Sequence, residues 1–518
     1  MASKQERDEL HKTIWKIAND LRGAIDGYSF KAYVLGSIFY RFISENICDY
    51  IQQLMTEAGE PNFDYTAISD EMAENVRKKM VEEKGYYIAP SQLFQNVAKN
   101  ADKDENLNEK LSDIFRSIEA SSKGTPSEEN LRGLFSDFAV DNAELGSTVI
   151  KRNQLLAKVL KTVAQMDLGA KYDDTENDTV GDTYEYLMQM YAANAGKSGG
   201  EYFTPQQVSE LLARLASHNN PNIQKVYDPA CGSGSLLLKF SKTVGKQNPD
   251  LKYYGQEINP TTYNLCRINM FLHNVNYDNF DIALEDTLLK PQHMDFAPFD
   301  AIVSNPPYSL KWEGKDNPLL INDERFAPAG VLAPKGAADL DFVMHMLWHL
   351  SEQGTAAIVE FPGVLYRGGA EKKIRQYLVR NNYVDTVIQL PQNLFYGVGI
   401  ATCIIVLKKS AKRDASVLFI DASKLFQKDG NKNRLMPEHQ DKIMELYANR
   451  KDEQYLAKLV KNDDVLENDA NLSVSSFVEQ EDTREAINIE EVNSKLESLI
   501  MEGSELNNKI DEIINNQM

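Results

Sequence analysis

The sequence has few cysteines and no long apolar run. Its four cysteines in 518 residues are far apart and form no CxxC pair. This spacing argues against a zinc ribbon or a disulfide framework and predicts reduced thiols. No apolar stretch approaches the ~18 residues that cross a bilayer, and the polar start MASKQERDEL lacks the apolar core of a secretory signal. We therefore expect a cytoplasmic protein with no membrane partner.

Motifs for several common enzyme chemistries are also missing. We find no convincing Walker loop or PD-(D/E)xK arrangement, so ATP hydrolysis and DNA cleavage are not expected of this chain. His345 and His349 are one helical turn apart, but the segment between them lacks the glutamate of HExxH. We interpret them as a hydrogen-bonded pair on a helix face and expect no metal site.

Basic residues are outnumbered by acidic ones, which leaves a formal net charge of -21. Because duplex affinity comes largely from lysines and arginines that displace phosphate counterions, the surface as a whole is not expected to bind DNA. Cationic residues do concentrate in two stretches, 311–335 with Arg325 and 367–380 with Arg375. These stretches predict either a local nucleic-acid contact or a solvated face.

The length predicts several domains, since one hydrophobic core supports only ~250 to 300 residues. Apolar residues at helical spacing predict an N-terminal helical domain over 1–165. The segment 166–199 is rich in Asp, Thr, Asn and Gly and suits a hinge. A domain of alternating strands and helices follows over 200–410, then a C-terminal extension of loops and helices over 411–484 and a helical tail over 485–518.

Short β-rich segments alternate with helices between residues 225 and 408, which predicts an α/β fold with a largely parallel sheet. In such sheets ligands bind beyond the carboxyl ends of the strands, so the residues just after each strand matter most. The predicted strands are KVYDPA, DLKYYGQE, NFDIALED, FDAIVSNPP, GTAAIVEF, YVDTVIQL and ATCIIVLK.

The ends of the first three predicted strands carry groups that suit a nucleotide-like ligand. The first strand leads into the glycine loop DPACGSGS (228–235) and a helix, whose amino terminus offers N–H groups to a polar ligand. The second ends at Glu257, where a carboxylate can accept hydrogen bonds from both ribose hydroxyls. The third ends at Glu285 and Asp286, where a carboxylate can bond an adenine amino group.

The fourth predicted strand ends in NPPY (305–308). With DPACGSGS, Glu257 and Asp286 in this order, the sequence resembles the amino-methyltransferases of DNA, and GEYFTP (200–205) also matches that family. The resemblance implies a Rossmann-like, S-adenosyl-L-methionine-dependent methyltransferase sheet that acts on adenine N6. In this chemistry acceptors must draw the amino hydrogens out of plane, because the nitrogen lone pair is delocalised into the ring.

The resemblance also assigns roles to individual residues. It implies that the Asn305 side-chain oxygen and the Pro306 carbonyl accept the two amino hydrogens, and that Tyr308 stacks on the flipped base. Phe395 and Tyr396 are further stacking candidates, with ordinary packing beside a strand as the alternative. The cofactor-binding residues implied are Glu201, Tyr202, Phe203, Thr204, Asp228, Ala230, Gly232, Ser233, Gly234, Ser235, Glu257, Asp286 and Thr287.

The resemblance extends over nearly the whole chain and is closest to the modification subunit of type I restriction-modification systems. It implies that the partners are DNA, a specificity subunit that reads the sequence in a two-to-one modification-to-specificity assembly, and a restriction/translocase subunit. Delegated recognition would explain the acidic charge. The alternatives are methylation of cytosine N4 or of protein glutamine, and a catalytically silent scaffold that binds nucleic acid.

The helical tail has coiled-coil spacing, with a narrow apolar seam between mostly charged residues. Such a seam needs a partner, either the rest of this chain or, as the resemblance implies, a helical spacer of the specificity subunit. Gly503 occupies one seam position, and the other seam residues are Ile489, Val492, Leu496, Leu499, Leu506, Ile510 and Ile513.

Overall fold

The computed structural model describes residues 27–166, 204–244, 248, 250–395, 399–412, 414–430, 432–481 and 489–515, with side chains from residue 33 onward. All four cysteines are free thiols, as their spacing predicts. Among the described residues, no helix is long and apolar enough to span a bilayer.

The N-terminal part of the described chain is helical. Its longest helix carries apolar residues at three and four spacings, and Leu35, Ile38, Phe39 and Phe42 are all buried. The helices are α1 (Gly27–Glu57), α2 (Asp70–Ala73), α3 (Arg77–Lys84), α4 (Phe94–Asn100), α5 (Leu107–Ser121), α6 (Glu128–Leu131) and α7 (Val149–Ala164).

Residues 1–478 form one compact unit, and its part after the N-terminal helices is built on a sheet. The interior strands of this sheet are buried on both faces. The strands are β1 (Lys225–Asp228), β2 (Lys252–Glu257), β3 (Phe280–Leu284), β4 (Phe299–Ser304), β5 (Leu350–Glu360), β6 (Val384–Gln389), β7 (Cys403–Lys408), β8 (Ser416–Asp421), β9 (Gln427–Asp429), β10 (Lys432–Arg434) and β11 (Ala457–Lys461).

Nine of these strands form one sheet in the order β11-β8-β6-β7-β5-β4-β1-β2-β3, and β9 pairs with β10 in a separate hairpin. Only β7 and β11 run against the others. The chain passes from β1 outward to β2 on one side, whereas β4 lies on the other side of β1. This reversal of strand order opens a crevice at the carboxyl ends of β1 and β4, where α/β sheets bind ligands.

Helices connect the strands and cover the faces of the sheet. The one after β1 begins directly behind the glycine loop, so its first N–H groups have no carbonyl partner within the helix. The helices are α8 (Gln206–Ser217), α9 (Ser235–Val244), α10 (Pro260–Leu272), α11 (Asp339–His349), α12 (Ala370–Arg380), α13 (Pro437–Asn449) and α14 (Asn462–Glu467).

All seven predicted strands are present, as β1 to β7. The prediction that residues 411–484 contain only loops and helices is wrong, because β8 and β11 extend the same sheet beyond β6. The antiparallel direction of β7 also makes the sheet mixed, with β7 inserted between β5 and β6.

The helical part and the sheet share one continuous apolar core. Helix α10 packs on β2 and β3, and its outer side meets the N-terminal helices, where Phe271 lies against Phe39. The guanidinium of Arg267, also on α10 and 1% exposed, donates hydrogen bonds to the carbonyls of Glu129 and Arg132 at 3.0 and 2.9 Å. These contacts fix α10, the helix that follows the strand end at Glu257.

Residues 479–518 form a second compact unit. Its described part contains one helix, α15 (Ile489–Asn515), which confirms the helical tail. The predicted seam residues are exposed: Leu496 at 54%, Leu499 at 58% and Ile510 at 51%.

Candidate functional site

The carboxyl end of β1 leads into a tightly bonded glycine loop. Gly232 and Gly234 have φ angles of +53° and +78°, a left-handed conformation that disfavours other residues. The loop is tied to β2 by a hydrogen bond from the Cys231 N–H to the Gln256 carbonyl at 3.1 Å. The Cys231 side chain is buried and its pKa is raised well above the usual value by the neighbouring Cys266 and by burial, which disfavours the thiolate form that a nucleophile needs.

Glu257 lies beside this loop at the end of β2. Its carboxylate accepts hydrogen bonds from the Gly232 N–H at 3.0 Å and from the Asn259 N–H at 2.8 Å. Because a carboxylate has about four lone-pair positions, it retains acceptor capacity for two ligand hydroxyls. Burial raises the pKa of Glu257, and the two N–H bonds oppose that rise.

The end of β3 forms the third wall of the crevice. The Asp286 Oδ1 accepts hydrogen bonds from the Leu288 and Leu289 N–H groups at 2.9 and 3.0 Å, which leaves the other carboxylate oxygen for a ligand. The Thr287 hydroxyl donates to the Pro229 carbonyl at 2.5 Å. Thr287 thereby braces the loop after β3 against the loop after β1.

The NPPY motif at the end of β4 is joined directly to the glycine loop. The Ser304 hydroxyl, one residue before the motif, donates to the Asp228 Oδ1 at 2.8 Å, and the Ala230 N–H donates to the same oxygen at 3.0 Å. Burial raises the pKa of Asp228 to about 7 against the effect of these bonds. This contact brings Asn305 beside the residues that surround the crevice.

Hydroxyl groups hold both ends of the Asn305 side chain. Its Nδ2 donates to the Thr204 Oγ1 at 3.1 Å, and its Oδ1 accepts from the Tyr308 hydroxyl at 2.6 Å. Burial raises the pKa of Tyr308 well above the usual value, with the negative charges of Glu360 and Asp339 adding to the rise. Tyr308 is therefore a neutral phenol with one edge directed at the amide oxygen.

Of the remaining predicted site residues, the structure describes Phe395 and leaves four outside the described residues. Phe395 is buried in the main core at 1% exposure, which agrees with the packing alternative rather than with a ring presented to a base. Glu201, Tyr202, Phe203 and Tyr396 lie outside the described residues.

Two residues at strand ends, Ser304 and Glu360, were not predicted from the sequence. Ser304 connects β4 to β1, a contact that depends on those strands being neighbours. Glu360 ends β5 and is fully buried, and neither of its carboxylate oxygens has a hydrogen-bond partner among the described residues. Its pKa is raised well above the usual value by burial and by nearby Asp339. The rule that strand ends carry function points to both positions.

Each of the two cationic stretches contains one buried arginine, whereas their exposed residues include Lys311, Lys315, Lys335, Lys373 and Arg380. Arg325 is 1% exposed and donates to the Thr287 carbonyl at 2.9 Å and to the His345 Nδ1 at 3.0 Å. Arg375 is also buried and donates to the Val364 carbonyl at 2.9 Å. His345 is hydrogen-bonded through its second nitrogen to Tyr227, as interpreted from the sequence. The interpretation holds only in part for His349, whose Nδ1 contacts the His345 carbonyl while its Nε2 has no hydrogen-bond partner among the described residues. These side chains stabilise the fold and are not available to phosphates.

The fold and the site together define the class of the protein. A sheet with antiparallel β7 between β5 and β6, and a glycine loop at the switch point, is the fold of S-adenosylmethionine-dependent methyltransferases. The NPPY motif beside the loop carries the Asn305 amide oxygen and backbone carbonyls, which are hydrogen-bond acceptors and not nucleophiles.

Comparisons with known proteins agree with this class. A family model described as N-6 DNA Methylase matches residues 175–486, and an HsdM N-terminal domain model matches residues 10–163. The type I restriction enzyme MpnII methylase subunit of Mycoplasma pneumoniae is 45% identical, over 98% of this chain and 96% of that protein. The MjaVII methylase subunit of Methanocaldococcus jannaschii is 28% identical, over 94% of this chain and 81% of that protein.

A solved structure is similar as well. The type I restriction-modification system methyltransferase subunit from Streptococcus thermophilus is 34% identical, with a TM-score of 0.82, over 91% of this chain and 99% of that chain. The chain belongs to the N-6 DNA methylase family, among the methylase subunits of type I restriction enzymes. Its activity is methylation of adenine N6 in DNA. These comparisons confirm the predicted fold class and function.

Proposed function

We propose that the crevice at the ends of β1 to β4 binds S-adenosyl-L-methionine and that NPPY presents the target adenine to it. The observation that supports this most directly is the 2.8 Å hydrogen bond between Ser304 and Asp228, since Ser304 immediately precedes NPPY and Asp228 begins the glycine loop. A shared crevice is what direct transfer requires, because donor and acceptor must lie in near-attack contact.

The described residues fit this cofactor. Glu257 has free acceptor capacity for ribose hydroxyls, and Asp286 has a carboxylate oxygen for an adenine amino group. Gly232 and Gly234 permit the left-handed backbone of the loop that lies between these two residues and β4. We extend the proposal to the other cofactor residues expected from the sequence, including Glu201, Tyr202 and Phe203, but not to Thr204, whose hydroxyl contacts Asn305. When bound, the cofactor supplies a methyl group activated by its sulfonium charge.

The chain's own part in the reaction is positioning. Asn305 Oδ1 and the Pro306 carbonyl accept the two hydrogens of adenine N6, which weakens the conjugation of the nitrogen lone pair with the ring. The two prolines restrict the backbone so that both acceptors converge. The target base must leave the duplex stack at a cost of a few kcal/mol, and Tyr308 stacks on it, with Tyr396 as a further candidate.

Two substitutions separate the acceptor from the cofactor site. Asn305→Ala should abolish methyl transfer while cofactor affinity stays within about tenfold, or ~1.4 kcal/mol. Glu257→Ala should weaken cofactor binding first, because its carboxylate holds the ligand equally in ground and transition states. Calorimetric titration of the full-length variants and a radiolabelled methyl-transfer assay measure both effects. Normal turnover by Asn305→Ala would refute the acceptor role.

We also propose that α15 docks on a helical spacer of a specificity subunit, in a two-to-one methylase that a restriction/translocase subunit joins in the full enzyme. The proposal is supported by the exposed seam of α15 and by the M. pneumoniae relative's being named as one subunit of a restriction enzyme. A coiled-coil seam buries its apolar side chains only against another helix.

The docking proposal predicts a position-specific effect on the tail. Leu499→Glu, on the seam, should prevent co-purification with the specificity subunit, because a charge would be buried at the helix contact. Met501→Glu is the matched control, since Met501 is also an exposed apolar residue of α15, at 71% against 58% for Leu499, and lies off the seam. Equal assembly of the two variants would contradict docking through the seam, even if the catalytic proposal held.

A further inference from the structure

The acceptor amide of Asn305 depends on a residue far away in the sequence. Thr204 lies two residues before α8, is 6% exposed, and accepts a hydrogen bond from the Asn305 Nδ2 at 3.1 Å. The sequence resemblance assigned Thr204 to the cofactor, whereas in the structure its hydroxyl contacts the side chain proposed to hold the substrate amine.

An asparagine amide has two unlike ends, and only one of them suits an amine. The Oδ1 end can accept a hydrogen from adenine N6, while the Nδ2 end would set donor against donor. In the structure the Oδ1 end faces Tyr308, the ring proposed to stack on the base, and the Nδ2 end faces Thr204. While Thr204 holds Nδ2, Oδ1 is the end of the amide that remains for the target amine.

The amide has little intrinsic preference for this orientation. The terminal torsion of asparagine is broad and roughly two-fold, so a partner must hold it. When a base enters, its amino group donates to Oδ1 in competition with the Tyr308 hydroxyl. Among the described residues, Thr204 then remains as the side chain that holds the amide. A displacement of about 1 Å at a reacting group can cost about 100-fold in rate.

We propose that Thr204 is a positioning residue for methyl transfer, whose hydroxyl anchors the Nδ2 end of the Asn305 amide so that Oδ1 stays directed at the target amine. This role rests on the acceptor function proposed for Asn305. Thr204 acts through Asn305 and takes no part in bond making.

The test compares Thr204→Ser with Thr204→Ala in the assembled methylase. Both variants lose the methyl group and share any packing defect, but only serine keeps the hydroxyl. We expect the single-turnover transfer rate, at saturating cofactor and DNA, to fall about 10- to 100-fold in the alanine variant and to stay within about threefold of wild type in the serine variant. Cofactor affinity should be the same in both.

Thr402 offers a matched control pair. It is fully buried, and its hydroxyl has no hydrogen-bond partner among the described residues. Thr402→Ser and Thr402→Ala should therefore transfer methyl groups at equal rates. A difference at position 402 as large as that at 204 would show that loss of any buried hydroxyl slows the enzyme, and would overturn the proposal.

Two further outcomes would also overturn it. Equal transfer rates for serine and alanine at position 204 would remove the positioning role. Weaker cofactor binding by the alanine variant, with a normal rate once the cofactor saturates, would assign Thr204 to the cofactor instead. Asn305→Ala, assayed in parallel, keeps the two proposals apart: activity in that variant refutes the acceptor function, whereas its inactivity beside an active Thr204→Ala refutes only the anchor.

Discussion

The glycine loop makes a quantitative prediction about stability. A Cβ added at Gly234 would lie 2.8 Å from the Cys266 sulfur and 3.2 Å from the Met270 Cε, on helix α10. The sulfur belongs to a fully buried side chain that cannot move aside freely. Gly234→Ala should therefore cost about 1–2 kcal/mol for the left-handed backbone and about 1–3 kcal/mol for the overlap.

Gly430→Ala isolates the backbone contribution. Gly430 has a φ angle of +60° with no heavy atom within 4 Å of an added Cβ, so this variant should lose only about 1–2 kcal/mol. Equilibrium urea unfolding of the full-length variants measures both losses. Adding Cys266→Ala should recover part of the Gly234→Ala loss, which a double-mutant cycle reports as a coupling energy. Equal losses at the two glycines, with no coupling to Cys266, would refute the steric reasoning.

Two other predictions concern buried ionisable groups. Burial raises the pKa of Asp341 to about 7, so the folded state keeps a proton that the unfolded state loses near pH 4, and stability from this group falls as pH rises from about 4 to 7. Asp341→Asn should flatten the urea-unfolding profile between pH 5 and 8 by about 3 kcal/mol. Parallel profiles would contradict this. Arg325→Lys should lower the free energy of unfolding by about 2 kcal/mol or more, because one lysine ammonium cannot reproduce the hydrogen bonds to the Thr287 carbonyl and to His345. The salt dependence of DNA binding should stay unchanged. A changed salt slope at wild-type stability would place Arg325 on the DNA.

Local sequence patterns predicted much of the catalytic sheet. Strand rhythm located β1 to β7, and the polar residues after β1, β2, β3 and β4 lie at one edge because parallel strands share a direction. The extension by β8 and β11 was missed because strand pairing is non-local. Two short apolar runs far along the chain do not show which edge they will join.

Contacts between distant residues account for the remaining differences. Thr204 and Asn305 are separated by 101 positions, and only the packing of α8 beside β4 brings them together. Phe395 illustrates the opposite case, since an aromatic residue in a loop has the same local pattern whether it contacts a base or fills the core. Three-dimensional neighbours decide such cases, and sequence spacing does not encode them.

The same reasoning applies to charge. Arg267, Arg325 and Arg375 count toward the formal balance, yet each is at most 2% exposed and donates to backbone carbonyls. Cations of this kind cannot release counterions from a phosphate backbone, so the surface has fewer cationic groups for DNA than the 56 lysines and arginines of the sequence suggest. Under the proposed mechanism the target base leaves the duplex, and the proposed specificity subunit would supply the additional cationic contacts that this step needs.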